Sequence, residues 1–293
     1  MKLGGKLGAV LERRLALLSP ARRQRFELAL ATVERLRGDR DHLDVLDAGC
    51  EDGQLAEALA RRRPSWRIVG ADASPGALER ARRRMATNGV ANVELVEADI
   101  TEGTVGSRYD VVLAIECLEE IEDDRRALSN LTADLAPDGL LLVHVPERDW
   151  RPVLPGSADS WRHEVRHGYS RTELVGMIEE TGLTVVEIRG SYRRLVQTAQ
   201  EIRDRIKHAP VWIRVLAFPV MVLAVRLEGV GITWGREQAL FALAARTQHA
   251  GGEASACDSS ERTATSPGCS RSRETSAAAE RGRTSNWASV RER

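Results

Sequence analysis

The amino-acid sequence predicts an α/β fold in which a Rossmann-like, doubly wound and mostly parallel sheet carries helices on both faces. Between residues 43 and about 146, short apolar runs of strand length alternate with segments of helical periodicity, which is typical of a parallel sheet covered by helices. Gly and Pro residues mark the junctions. The first apolar run leads into a glycine-bearing turn, Val45 to Gly53, which is how such a sheet usually meets a nucleotide-like ligand.

The first 40 residues are predicted to form a helical N-terminal cap. Leucine and alanine recur at helical spacing among arginines from residue 6 to 37. Ser19-Pro20 divides this segment, because a serine N-cap followed by a proline at the first helical position starts a helix. We therefore expect two amphipathic helices in the cap.

Residues 41–189 are predicted to form the core of the protein. The expected strands are 43–48, 67–71, 93–96, 110–115, 140–145 and 184–188, and the expected helices are 54–62, 77–85, 125–135 and 171 to about 180. Pro64 ends the first of these helices, and Ser74-Pro75 begins the second. Ser170 and Glu173 have the spacing of a capping box, which begins the last.

Residues 190–236 are predicted to be an apolar helical insertion, followed by the last core strand at 237–247. Arg214 and Arg226 leave only 215–225 uncharged between them, and spanning a bilayer takes about 20 apolar residues, so the insertion is too short to cross one. Two interpretations stay open. The segment 211–230 is either a helix that packs on the body or covers the active site, or an element that contacts lipid at a membrane surface.

Residues 248–293 are predicted to be a disordered tail, because Ser, Thr, Ala, Gly and Arg dominate it and no apolar periodicity repays the entropy of ordering. The 43 basic residues of the chain equal its 43 acidic residues, so no net field favours nucleic acid, and we expect no nucleic-acid partner. The four cysteines lack the paired spacing of a zinc site, and no metal is expected. Charges at residues 12–14 interrupt any signal-peptide core, which predicts a cytoplasmic protein.

The turn after the first strand does not have the dinucleotide-binding pattern. Its glycines are spaced Gly49-x-Glu51-x-Gly53 rather than G-x-G-x-x-G, and no Tyr-x-x-x-Lys pair of a nicotinamide-dependent oxidoreductase appears. Asp72 follows 25 residues after Asp47, at the end of the second predicted strand. A carboxylate in that place can accept hydrogen bonds from both hydroxyls of a ribose. A plain strand-end aspartate is the alternative.

With these residues, the chain resembles class I S-adenosylmethionine-dependent methyltransferases of the small-molecule, ubiquinone-biosynthesis type. The first turn matches their D-x-G-x-G-x-G motif except at Glu51, and the resemblance covers about residues 43 to 189, with 238–245 similar to the family's last strand. It implies one antiparallel strand near the C-terminal end of the sheet and S-adenosylmethionine as the cofactor. The implied cofactor contacts are Asp47, Ala48, Gly49, Cys50, Glu51, Gly53, Asp72, Ala73, Asp99, Ile100 and Glu116.

The reaction that the resemblance implies is an in-line SN2 displacement, which needs positioning and exclusion of water more than any particular side chain. A general base is needed only if the acceptor is protonated in its reactive state. His163, His167 and Tyr169 are the candidates, and for the histidines a purely structural place in the loop is the alternative.

The function predicted from the sequence is methyl transfer to a small-molecule acceptor. The apolar insertion favours a hydrophobic acceptor among the small molecules. The alternative is a catalytically degenerate S-adenosylmethionine-binding or scaffold protein, in which Glu51 replaces a glycine of the motif and Glu120 stands where many relatives have histidine.

Overall fold

In a computed structural model of the chain, residues 19–106, 108–157, 165–232 and 234–246 are described below. Seven strands form one sheet: β1 (Asp44–Ala48), β2 (Arg67–Asp72), β3 (Val93–Glu97), β4 (Tyr109–Ile115), β5 (Leu135–Pro146), β6 (Leu183–Gly190) and β7 (Ala239–Arg246). Seven α-helices accompany them: α1 (Pro20–Arg37), α2 (Gln54–Arg62), α3 (Pro75–Asn88), α4 (Asp124–Ala133), α5 (Arg171–Glu180), α6 (Arg194–Ile206) and α7 (Val211–Gly229).

The strand order is β3-β2-β1-β4-β5-β7-β6. All neighbouring strands from β3 to β5 run parallel, whereas β7 runs antiparallel to both of its neighbours, β5 and β6. The order reverses between β1 and β4, and such a switch point opens a crevice at the carboxyl ends of the strands. The predicted doubly wound sheet with one antiparallel strand near its C-terminal end is therefore confirmed.

The central strands lie in the hydrophobic core. Val45, Leu46, Val112 and Leu142 are fully buried, as expected where helices cover both faces of a parallel sheet. The predicted helix starts also form. Ser19 caps α1 by accepting a hydrogen bond from the N–H of Arg22, and Ser170 caps α5 in a complete capping box.

The insertion predicted from the sequence contains the two helices α6 and α7, and neither of them, nor any other helix of the described residues, is long and apolar enough to cross a membrane. Among the described residues, no group of three or more His, Cys, Asp or Glu side chains could hold a metal ion. Residues 1–18 and the predicted tail lie outside the described residues, and the division into cap, core, insertion and tail stays a prediction.

Candidate cofactor site

The turn after β1 lies at the switch point of the sheet. Gly49 has a φ of 67°, and a Cβ at this position would lie 2.5 Å from the Cβ of Cys117, in the loop after β4. No side chain fits between the two loops. Gly53 caps the start of α2 with a φ of 73°, and Gln54 and Leu55 in the first turn of that helix line the same crevice.

Asp47 is the last polar side chain of β1 and is 3% exposed. Burial raises the pKa of its carboxyl to about 7; a backbone hydrogen bond from Ala56 opposes the shift, and the charge of Asp72 adds to it. Its Oδ2 has no hydrogen-bond partner among the described residues. A buried, unpartnered carboxylate oxygen in a crevice favours a cationic ligand group.

Asp72 connects the turns that follow β1 and β2. Its Oδ2 accepts a hydrogen bond of 2.8 Å from the N–H of Glu51, and its Oδ1 accepts one of 2.8 Å from the N–H of Ser74. Each oxygen of an ionised carboxylate keeps a further lone pair for a ligand hydroxyl. The structure therefore leaves Asp72 able to bind the ribose that the sequence suggested.

Two residues of the site have a strained backbone. Glu51 has a φ of 52° and Glu116 a φ of 56°, and within the described ranges they are the non-glycine residues with a positive φ. A left-handed conformation costs an L-residue about 1–2 kcal/mol. Strain of this kind concentrates at functional sites, and both residues line the same cavity.

Helix α1 supplies two arginines that sequence reasoning missed. Arg22 Nη2 lies 3.2 Å from Glu51 Oε2, and Arg25 Nη1 lies 3.0 Å from Glu116 Oε2. Sequence motifs do not predict either ion pair, because the two residues of each pair lie 29 and 91 positions apart in the chain. The only local signal is the arginine-rich start of a helix.

Glu116 also binds His144, a fully buried residue of β5. His144 Nδ1 lies 2.7 Å from Glu116 Oε1, and Nε2 lies 2.8 Å from Ser191 Oγ. Burial alone would raise the pKa of Glu116, but Arg25 and the hydrogen bond with His144 lower it below its usual range. The sequence assigned His144 no function, and the structure makes it the residue that orients Glu116.

A cavity of about 200 Å³ opens at this edge of the sheet. The predicted cofactor contacts that line it are Asp47, Gly49, Cys50, Glu51, Asp72 and Glu116. The other residues that line it are Arg22, Arg25, Phe26, Asp52, Gln54, Leu55, Ile115, Cys117 and Glu120. Ala48, Gly53, Ala73, Asp99 and Ile100 do not line it. Ala73 and Asp99 are exposed, and Ile100 is buried in the core.

Asp99 is occupied by its own loop. Its Oδ1 accepts hydrogen bonds from the N–H and the hydroxyl of Thr101, at 2.8 and 2.7 Å, and these bonds lower the pKa of the Asp99 carboxyl. The adenine contact assigned to it from the sequence stays a prediction.

Two of the three candidate bases are described, and neither His167 nor Tyr169 lines the cavity. His163 falls outside the described residues. His167 is exposed and stacks on Trp150 with 5.1 Å between ring centroids. Tyr169 is fully buried, and its hydroxyl donates a hydrogen bond of 2.9 Å to Asp124 Oδ2. Burial, and to a smaller extent the hydrogen bond with Asp124, raise the pKa of the Tyr169 hydroxyl. A buried phenol with a raised pKa is unsuited to accept a proton, so the geometry gives Tyr169 a structural role.

The site offers the charges that S-adenosylmethionine requires. A buried, unpartnered carboxylate suits the ammonium or sulfonium, two guanidiniums suit the carboxylate, and a strand-end aspartate suits the ribose. Fold and site together define the protein as an S-adenosylmethionine-dependent methyltransferase. A family model described as a methyltransferase domain matches residues 21–188, more than half of the chain, and the chain belongs to that family.

Curated relatives are methyltransferases. The ubiquinone biosynthesis O-methyltransferase of Rickettsia canadensis (strain McKiel) is 24% identical over 192 residues, which are 62% of this chain and 80% of the relative. The protein of the same name from Neisseria meningitidis serogroup C is 31% identical over 183 residues, 56% of this chain and 71% of the relative.

Solved structures show the same fold. N-methyltransferase NodS from Bradyrhizobium japonicum WM9, in complex with S-adenosylhomocysteine, has a TM-score of 0.51 at 21% identity, covering 82% of this chain and 98% of that one. Phosphoethanolamine N-methyltransferase 2 of Haemonchus contortus, in complex with S-adenosylmethionine, has a TM-score of 0.57 at 20% identity, with coverages of 76% and 53%.

Proposed function

We propose that this protein transfers the methyl group of S-adenosylmethionine to a hydroxyl oxygen of a small, amphiphilic acceptor. The observation that carries the proposal is the cavity at the switch point, where Asp47, Asp72 and two arginines of α1 converge. The names of the curated relatives, which are O-methyltransferases, support oxygen as the acceptor atom. The cytoplasmic location stays a prediction.

Each group of the site has a proposed role in holding the cofactor. Asp47 binds the ammonium group, Arg22 and Arg25 bind the carboxylate, and Asp72 accepts hydrogen bonds from the ribose. Asp99 and Ile100 are proposed to contact the adenine. Bound S-adenosylmethionine supplies a methyl group on a sulfonium that is already activated. The protein then holds the acceptor in line with that methyl group and excludes water.

A second cavity supports an acceptor that carries a polar or anionic group. It has a volume of about 290 Å³, shares Arg22, Arg25 and Gln54 with the first, and is otherwise lined by Ser19, Ala21, Gln200 and Arg203. A carboxylate or a phenol bound beside these guanidiniums would gain charge-assisted hydrogen bonds. The proposal that part of the acceptor is hydrophobic is supported by the apolar helix α7 alone.

O-methylation releases a proton, since the hydroxyl oxygen loses its hydrogen as it gains the methyl group and the sulfonium becomes a neutral thioether. His163 and His167 are the proposed proton acceptors, because the neutral ring of a histidine has a nitrogen that can accept a proton. The pH profile of kcat distinguishes this role from a structural one. His163→Gln or His167→Gln is expected to abolish the acidic limb of that profile, whereas an unchanged limb in both variants removes the histidines from the mechanism.

Cofactor binding is tested by titrating the protein with S-adenosylhomocysteine in a calorimeter. Asp72→Ala is expected to weaken binding at least tenfold, because it removes the ribose acceptor. Asp138→Ala removes an exposed carboxylate from a turn of β5 and serves as the matched control, with no expected effect. Absence of binding by the parent protein, or equal binding by the two variants, contradicts the proposed site.

The alternative from the sequence, a degenerate cofactor-binding protein, is favoured by one observation. Both arginines of α1 already form ion pairs with the glutamates of the cavity, which compete with a bound carboxylate. Release of S-adenosylhomocysteine in the presence of phenolic acceptors, with and without a carboxylate, supports the enzyme. Tight cofactor binding with no release from any acceptor supports the alternative.

A further inference from the structure

Helix α7 exposes apolar side chains where a surface helix normally exposes polar ones. Trp212, Leu216, Val220 and Leu223 recur at helical spacing along one face and are 62%, 69%, 64% and 55% exposed. Only Met221 and Glu228 of this helix are buried. Contiguous apolar surface of this length on a folded protein marks a site of interaction.

The exposed surface continues beyond the helix. Val230, Ile232 and Trp234 are 74%, 56% and 56% exposed. A groove of about 290 Å³ lies between α6 and α7, and Leu195, Ile202, Ala217, Val220, Met221 and Trp234 contribute its apolar lining. We call the exposed residues Trp212, Val215, Leu216, Val220, Leu223, Val230, Ile232 and Trp234 the apolar face.

The C-terminal end of α7 is fixed to the body of the protein. The carboxylate of Glu228 accepts hydrogen bonds from the N–H groups of Arg193 and Val196, at the start of α6. These are amides that a helix leaves without an internal partner, and a negative charge is favourable there. Because these hydrogen bonds hold the carboxylate of Glu228 against the start of α6, Glu228 adds no negative charge to the apolar face.

The exposed charged side chains in the stretch of chain that carries the apolar face are cations. Between residues 205 and 236, the exposed charged side chains that the structure describes are Arg205, Lys207, Arg226 and Arg236. Arg236 lies 3.9 Å from the exposed carboxylate of Asp149, and Arg205 donates hydrogen bonds to Pro155 O and Ser157 Oγ, so Lys207 and Arg226 are the cations available to an anionic surface. Trp212 and Trp234 add the aromatic side chains that lie at the boundary between headgroups and acyl chains.

We propose that α7 lies in the plane of an anionic lipid bilayer surface, with the apolar face in the boundary between headgroups and acyl chains and with Lys207 and Arg226 on the phosphates. A helix lying in the plane agrees with the finding that no helix of the described residues spans a membrane. A second copy of the chain is a poorer occupant. A two-fold interface would bring this face against itself and place like charges together.

The test is co-flotation of the full-length protein with vesicles. We expect binding to phosphatidylcholine vesicles that contain about one third phosphatidylglycerol, weaker binding to pure phosphatidylcholine, and loss of binding at 0.5 M salt, because surface charges attract cations over only a few ångström at high ionic strength. Vesicle binding is independent of methyl transfer, so this inference and the proposed function fail separately.

Two exposed substitutions locate the contact. Leu216→Glu combined with Val220→Glu is expected to lower vesicle binding at least tenfold, because both side chains would carry a charge into the lipid. Val186→Glu alters an exposed apolar side chain of β6, away from the apolar face, and is the control. Thermal unfolding of the variants shows that each still folds.

Two results overturn the inference. One is equal vesicle binding by the parent and the double variant. The other is a parent protein that ignores anionic vesicles and instead runs as a dimer on gel filtration, with the double variant running as a monomer. The second result assigns the apolar face to a second copy of the chain.

Discussion

Arg25 and Glu116 join helix α1 to the loop that follows β4, with 3.0 Å between Nη1 and Oε2. Their side chains are only 13% and 9% exposed, so water screens the pair little. Glu116 is held at the same time by His144, which belongs to β5. Helix α1, the loop after β4 and strand β5 therefore meet in one buried group of charges.

Removing both partners of this pair is expected to cost less than the two single removals added together. Arg25→Ala leaves the buried Glu116 without its cation and should lower the free energy of unfolding by about 3 kcal/mol. Arg25→Ala with Glu116→Ala should be more stable than the sum of the single changes predicts. Arg23→Ala, which removes the same charge from the same helix, is the control. Urea unfolding measures the parent, the two single variants, the double variant and the control, and strict additivity would show that the pair contributes nothing.

Alanine substitutions at Gly49 and Gly89 distinguish the cost of a steric clash from the cost of backbone strain. Their φ angles are 67° and 63°, but a Cβ on Gly49 would meet Cys117 at 2.5 Å, whereas one on Gly89 has nothing within 4 Å. Gly89→Ala should therefore cost only the left-handed strain, about 1 kcal/mol. Gly49→Ala should cost about 3 kcal/mol or more and weaken S-adenosylhomocysteine binding. Equal losses in thermal and urea unfolding would argue against a close approach of the two loops.

The buried carboxyl of Asp47 is expected to make the free energy of unfolding depend on pH. Because burial raises its pKa from 3.8 to about 7, the protonated carboxyl favours the folded state at low pH, and this contribution is lost as the pH rises from about 4 to about 7. Asp47→Asn is uncharged throughout. Without cofactor, the variant should match the parent near pH 4 and exceed its free energy of unfolding by about 2–4 kcal/mol above pH 7.

The same carboxyl predicts the pH dependence of cofactor binding. Ionised Asp47 attracts a cation, so binding of S-adenosylmethionine to the parent should strengthen as the pH rises through 7, and this trend should be absent from Asp47→Asn. Calorimetry at pH 5.5 and pH 8 measures both proteins. Parallel trends in the two would assign the dependence to another group.

Glu51 is expected to be a replaceable residue. Glu51→Gly removes the strain of a φ of 52° and removes the shorter of the two ion pairs of Arg22, leaving the one with Asp52 at 4.0 Å. The substitution should leave the free energy of unfolding within about 1 kcal/mol of the parent and tighten S-adenosylhomocysteine binding severalfold. Weaker binding would mean that the glutamate itself contacts the cofactor.

Tyr169 is expected to affect stability and not turnover. Tyr169→Phe leaves Asp124 without the phenol hydrogen bond and should lower the free energy of unfolding by about 1–2 kcal/mol. Since the ring remains, Arg166 can still lie over it, as it does at 4.0 Å from the ring centroid. At a temperature where both proteins are folded, kcat should be unchanged. A large loss of kcat would restore Tyr169 to the mechanism.

The sheet was predictable because its determinants are local. An apolar run, a proline or a serine cap acts within a few residues, and the predicted strands agree with the observed ones to within a residue or two except at β5, which begins at Leu135 rather than at 140. Leu135 pairs with Tyr109 of β4, and the register shifts before Leu140 pairs with Val111, which periodicity alone does not reveal.

The site was predictable only in part, since its remaining half depends on distant contacts. The strand-end residues Asp47 and Asp72 follow from their positions in a parallel sheet. Arg25 and His144 do not, because their partner Glu116 lies 91 and 28 residues away and no spacing rule connects them. Tyr169 was misleading for the same reason, as its burial against Asp124 arises from tertiary packing.

The position of β7 has a consequence for how the molecule folds. This strand lies between β5 and β6, which precede it in the chain, and its residues from Ala239 to Ala244 are buried. During synthesis, β5 and β6 must wait with unpaired edges until about residue 246 has left the ribosome. The residues of α6 and α7 are therefore synthesised before the sheet can close, and chaperones that shield open strand edges should bind nascent chains shorter than this and release the longer ones.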